Sequence, residues 1–130
     1  MADVDTVRVF ASDAGGVLRD IRAFVETNAA PLLAPDAIED LKLAVTEAAA
    51  NALRHSGSSE VRVAVDVEGG CVKVVVEDHG VYQATLKAVD GDLEGHRGFA
   101  IIAAMVDEFS VRRGTEARSG TIVRMLKCAG

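Results

Sequence analysis

Glu47, Asn51 and His55 stand four residues apart in the run Leu41 to His55, which holds neither Gly nor Pro and is rich in Ala and Leu. Such a run is expected to be helical. On a helix that spacing puts the three side chains in one polar line. Such a face can hold a carboxylate, an amide oxygen and an imidazole against one ligand. The neighbours Ala48, Ala49, Ala50 and Ala52 carry single methyl groups, so a bulky ligand can come close to the helix. Taken alone, the triplet reads equally simply as a solvated stripe on an Ala-rich helix.

Two other stretches carry chemistry of a complementary kind. Asp78-His79-Gly80 follows the alternating valines Val72, Val74 and Val76. It offers an acceptor carboxylate at a strand's end, then a residue without a side chain where a ligand can approach. Gly95-His96-Arg97-Gly98 stands at the expected start of a helix, where free backbone N–H groups and the helix dipole favour a phosphate. Each is ordinary alone, a turn and a Gly-rich helix start. His79 and His96 read as surface residues.

Positioning these residues takes a sheet and helices. Val7, Val9 and Ala11 alternate with Arg8 and Phe10, the pattern of a short opening strand. Ser12 or Asp13 can cap a helix on which Val17, Leu18, Ile21, Phe24 and Val25 recur at helical spacing, running to about Asn28. Pro35-Asp36 is a start signal for the central helix, whose buried stripe should be Ile38, Leu41, Val45, Ala48 and Ala52. That helix should stop in the turn-rich run His55 to Ser59. Val61, Val63, Val65 and Val67, then Val72, Val74 and Val76, mark two strands around a hairpin turn at Glu68-Gly69-Gly70.

From Val81 to Arg97 no clean periodicity stands out beyond a candidate helical turn at Ala84 to Val89. A connection of that length in a compact chain is more often a functional lid than an idle loop. A third helix opening at Gly95 to Gly98 carries Phe99, Ile101, Ile102, Met105 and Val106, and strands Glu108 to Arg113 and Thr121 to Lys127 finish the chain. The order β, α, α, β, β, lid, α, β, β predicts an α+β fold, a two-layer sandwich with helices on one face of a mixed β-sheet.

At 130 residues, 49% hydrophobic and 26% charged, the chain is expected to form one domain over residues 1–130 with a packed core. A net charge of -6 argues against a nucleic-acid partner, which requires clustered Lys and Arg to neutralise phosphates. A polyphosphate ligand would then need a local device rather than a basic field. No apolar stretch approaches the ~20 residues that span a bilayer, and the acidic opening Met1 to Asp5 leads into no signal-like run. No membrane partner is expected, and a reducing cytoplasm is the expected location. Cys71 and Cys128 form no CxxC pair and no ligand-like spacing with the three histidines, so neither a zinc site nor a disulfide framework is expected. They read as inert thiols.

In combination the spacing resembles the nucleotide-binding domain of the GHKL ATPases, the superfamily of gyrase, histidine kinases and mismatch-repair ATPases. Within it the chain is most similar to the small anti-sigma-factor serine/threonine kinases of bacterial sporulation and general stress. Thr46 to His55 looks like their N box, Val76-Glu77-Asp78-His79-Gly80 stands where their G1 box does, and Gly95-His96-Arg97-Gly98-Phe99 where their G2 box does. Met105-Val106-Asp107-Glu108-Phe109 and the closing Gly120-Thr121-Ile122-Val123 are also similar.

The resemblance implies ATP and Mg²⁺ as cofactors. Asn51 would give its side-chain oxygen to Mg²⁺, and Glu47 would act as the catalytic base. Asp78 would accept from the adenine amino group, with Gly80 leaving room for the base and Thr121 supporting the contact. Gly95, Arg97 and Gly98 would hold the phosphates beneath the lid, helped by Arg54 or His55. The implied protein is a homodimeric kinase that phosphorylates an anti-sigma-factor antagonist and otherwise sequesters a sigma factor.

Val81 and Tyr82 stand where the family often has a second glycine, and His96 where glycine is usual. These departures motivate an alternative, a non-catalytic, nucleotide-gated binding module that regulates a sigma factor or other partner. A detached catalytic half of a histidine kinase is disfavoured, because 130 residues leave no room for a helical hairpin bearing the phosphorylated histidine.

Overall fold

Valines at every second position give the sheet its buried surface. The computed structural model describes residues 6–12, 15–55, 60–78, 92–113 and 120–129. Its strands are β1 (Thr6–Ala11), β2 (Glu60–Glu68), β3 (Cys71–Asp78), β4 (Glu108–Arg113) and β5 (Thr121–Cys128), in the spatial order β1-β2-β3-β5-β4. Val61, Val63 and Val65 of β2, Val72, Val74 and Val76 of β3, and Val123 and Met125 of β5 are buried against the helices. Burial of a Val or Leu side chain contributes roughly 1.5–3 kcal/mol, so this aliphatic layer is the main source of stability. The expected helical turn at Ala84 to Val89 lies outside the described residues.

Three helices among the described residues complete the sandwich: α1 (Val17–Ala29), α2 (Pro35–His55) and α3 (Asp92–Met105). The expected stripe of α2 is the buried one, Ile38, Leu41, Val45, Ala48 and Ala52, joined by Ala44 and Ala49. Ile21 and Val25 anchor α1, and Ile102 anchors α3. Phe99 of α3 packs on Phe109 of β4 with ring centroids 6.3 Å apart.

The α+β sandwich with helices on one face is as the sequence implies, but the sheet is antiparallel at every described pairing rather than mixed. Two consecutive helices between β1 and β2 return the chain so that β2 runs against β1. β3 and β4 are parallel, being joined across α3, yet β5 lies between them and runs against both.

Three local features depart from the sequence reading. Ser12 does not cap α1, and Asp13 lies outside the described residues. The N-cap is Gly16 in the left-handed region (φ 76°), with no side-chain cap, a conformation that glycine adopts without steric cost. On β1 it is Phe10 that faces the core, edge-on to Phe24 at 5.7 Å, while Val7 and Val9 are exposed. Cys71 and Cys128 are not separate thiols but are joined by a disulfide. Their identity gives no hint of this. The register makes them the terminal rung of the β3–β5 ladder.

Lys42 ties α1 to α2, donating to Glu26 Oε1 at 2.6 Å and to Glu39 Oε2 at 3.2 Å. The Glu26 bond, seconded by Glu39, raises its pKa above the ordinary 10.5. A raised lysine pKa gives stability that is complete below the ordinary value and lost as pH climbs through the folded-state value. Lys42→Met is therefore expected to remove an alkaline component of unfolding. Urea midpoints at about pH 8 and about pH 11 should converge toward each other in the variant, the difference being under about 1 kcal/mol for so open a pair.

Candidate active site

Glu47 and Asn51 lie one turn apart on α2, both half-buried, where α3 packs against that helix. The contact falls at Gly98. A methyl group built on that glycine would stand 3.0 Å from Asn51 Nδ2, 3.5 Å from Glu47 Oε1 and 3.7 Å from Asn51 Oδ1. Carboxylate, amide and bare backbone thus form one cluster, and Gly98 is itself buried. The sequence spacing supplied the first pair. The approach of Gly98 to it had no local signal, because it joins residues on two helices.

Helix α3 starts about one turn earlier than the Gly95-to-Gly98 start expected from sequence. Asp92, Leu93 and Glu94 precede the glycines. Leu and Glu are good helix formers, and an acid suits a helix N-terminus. Only the first four N–H groups of a helix lack an intrahelical partner. Gly95 falls in that first turn, whereas Arg97 and Gly98 fall in the second, so what Gly98 offers in this conformation is room rather than a free N–H.

The second cluster closes the far end of the β3–β5 ladder. Asp78 is directly opposite Thr121 and in phase with the buried valines of β3. It is only 4% exposed, a depth uncommon for aspartate. Gly120, at φ 115°, delivers Thr121 into the strand. The Thr121 hydroxyl is buried and has no hydrogen-bond partner within the described protein. Leaving such a group without any partner would cost roughly 1–3 kcal/mol, so a partner beyond the described protein atoms is expected for it.

Of the remaining sequence candidates, Arg54 is exposed near the end of α2. The side chains of His55 and Arg97, and all of His79 and Gly80, lie outside the described residues. A shallow groove beside β4 and β5, lined by Glu68, Lys73, Ser110 and Arg124 among others, contains none of the candidates. Its Lys73 is already paired with Glu68 at 3.3 Å, so the chemistry points to the two clusters above instead. No described helix is long and apolar enough to cross a membrane.

A family model described as histidine kinase-like ATPase domain matches residues 10–127. The chain belongs to that family, which implies ATP as its ligand. No curated protein matches the chain in sequence.

Among solved structures, the RsbU and RsbW domains of Rv1364c from Mycobacterium tuberculosis are similar, at TM-score 0.73 and 20% identity. That match covers 97% of this chain but only 32% of the other. The SiaB–SiaC complex from Pseudomonas aeruginosa matches at TM-score 0.67 and 14% identity, over 93% of this chain and 89% of that one. The histidine kinase domain from Erythrobacter litoralis EL346 blue-light activated histidine kinase matches at 0.55 and 22%, over 88% and 60%. At these identities the likenesses establish the fold.

Gly98→Ala is expected to separate stability from ligand binding. In a helix interior the change favours folding by roughly 0.5–1 kcal/mol, but the new methyl must push the Asn51 amide aside. Thermal unfolding should show a variant at least as stable as the wild type. Calorimetry should show Mg-ATP affinity lowered about tenfold, or 1.4 kcal/mol.

Proposed function

We propose that the chain is an ATP- and Mg²⁺-dependent protein serine/threonine kinase that acts as an anti-sigma factor in a partner-switching module. The observation that carries this reading is the convergence of Glu47, Asn51 and Gly98, drawn from two of the motifs that resemble the anti-sigma-factor kinases. One of the similar solved structures is a two-protein complex, SiaB–SiaC, which fits a fold used against protein partners.

The cluster suits Mg²⁺. Among the described residues no three ionisable ligands converge, and Mg²⁺ bridging a triphosphate needs few from the protein, since phosphates and waters complete its shell. Asn51 would hold it through the amide oxygen, and the bound ion would neutralise charge developing on the phosphates. Glu47, one turn away, would accept the proton of the attacking hydroxyl. Asp78 and Thr121 would receive the adenine, the aspartate accepting from the amino group and the orphan hydroxyl gaining a partner. Gly95, Arg97 and Gly98 would border the phosphates. Phosphoryl transfer is mostly positioning and charge stabilisation, so this small set is enough.

The substrate is a serine or threonine of an antagonist protein, and the second partner a sigma factor. The chain would act as one kinase domain, as a homodimer in the cytoplasm. The direct test is transfer of labelled γ-phosphate from Mg-ATP to a cognate antagonist, with the label recovered on serine or threonine.

A second reading has a specific observation behind it. His96 replaces a usual glycine, and Gly98 lies inside the helix ladder, which suits a domain that binds nucleotide and switches partners without transferring phosphate. ATP binding without any labelled antagonist would select that module over the kinase.

A further inference from the structure

We propose that Cys71 and Cys128 form a reversible thiol–disulfide exchange site, and that its redox state sets how firmly the segment between them is held. The proposal does not depend on the nucleotide reading. Cys71 opens β3 and Cys128 ends β5, and the register sets them opposite each other on the face of the sheet away from the described helices. Both are half-buried rather than enclosed, so a small thiol can reach the pair. The chain has two cysteines, which gives its internal pairing a single outcome with no competing isomer.

Opening the bond would not scatter the two sulfurs, because the same end of the sheet is clamped without it. Asp107 Oδ2 accepts the Cys128 N–H at 2.7 Å, and the Ala129 N–H donates to the Gly70 carbonyl at 3.0 Å. Lys127 Nζ donates to the Met105 carbonyl at the end of α3 at 2.8 Å and pairs with Asp40 of α2 at 3.4 Å. The reduced thiols therefore stay in register, ready to re-form the bond. Disulfides persist in oxidising surroundings, whereas in reducing ones they are transient and sensing. An accessible, pre-aligned pair serves the second use.

The exchange partner is a dithiol. Its thiolate attacks one sulfur of the pair, forming a mixed disulfide and releasing the other cysteine as thiolate. Its second thiol then displaces the first cysteine and closes the partner's own disulfide. Two electrons and, net, two protons pass from the dithiol to Cys71 and Cys128. The cysteines are 57 residues apart, and the enclosed segment includes α3, β4 and most of β5. Its far rung is Asp78 opposite Thr121. Oxidation thus fixes the ends of the segment that carries half of the candidate site.

The test uses the full chain, with oxidised glutathione and dithiothreitol as probes. After oxidation both cysteines should resist iodoacetamide and the intact mass should be two hydrogens lower; dithiothreitol under native conditions should make both alkylatable. Reduction should lower the Tm by about 10 °C and speed amide exchange in α3 and β5 more than in α1, and reoxidation should restore both. The double variant Cys71→Ser/Cys128→Ser should show the lower Tm under either condition. The proposal is overturned if the oxidised chain alkylates at both cysteines, if native dithiothreitol fails to open the bond, or if Tm and exchange are the same in both states.

Discussion

Asn51→Ala is expected to abolish measurable Mg-ATP binding while the chain stays folded. Asn51 sits little more than a turn before the end of α2 among Ala49, Ala50 and Ala52, half-buried against α3. Alanine is the best helix former and removes an amide without adding bulk, so the helix and its buried stripe should persist. What is lost is the oxygen that would hold the cation. A fall of at least roughly 100-fold in affinity, about 2.7 kcal/mol, is expected, with the circular dichroism spectrum unchanged. Since Gly98→Ala acts by displacing the same amide, the double variant should bind no more weakly than Asn51→Ala alone, the non-additivity expected of groups in contact. Calorimetry showing full affinity in the Asn51 variant would remove the amide from the cation's shell.

Patterns confined to one segment were legible in the sequence, and features that join distant segments were not. The stripe of α2 and the valines of β2 and β3 declare themselves because burial on one face imposes a period of 3.6 or 2. Gly69 and Gly70, both at positive φ, made the hairpin between β2 and β3 readable. Glu47 and Asn51 were legible for the same reason, as neighbours on one helix turn.

The insertion of β5 between β3 and β4 depends on non-local pairing, and so does the meeting of Cys71 with Cys128 across 57 residues. No composition or spacing encodes either. The start of α3 departs from the sequence expectation for a different reason. Glycines usually punctuate a helix end, but here the residues ahead of them are helix formers and the glycines are carried inside. Gly98 has a reason to be there, since a methyl group at that position would stand 3.0 Å from the Asn51 amide. A glycine chosen for close packing and one chosen to break a helix look alike until the neighbour is seen.

Glu47→Gln should leave Mg-ATP binding intact and lower phosphotransfer at least ~100-fold, the lower bound for loss of a general base. Glutamine keeps the length and shape of the side chain beside Gly98 and Asn51, so packing at the junction of α2 and α3 is preserved. It cannot take up the proton of an incoming hydroxyl. An effect confined to the chemical step appears as a fall in kcat with the ATP affinity unchanged, which separates it from the Asn51 variant, where binding itself fails. If Glu47→Gln instead loses ATP with its activity, the carboxylate belongs to the cation's shell and the base lies elsewhere. If it transfers phosphate at the wild-type rate, proton removal does not pass through this helix, and the polar line on α2 is a binding surface alone.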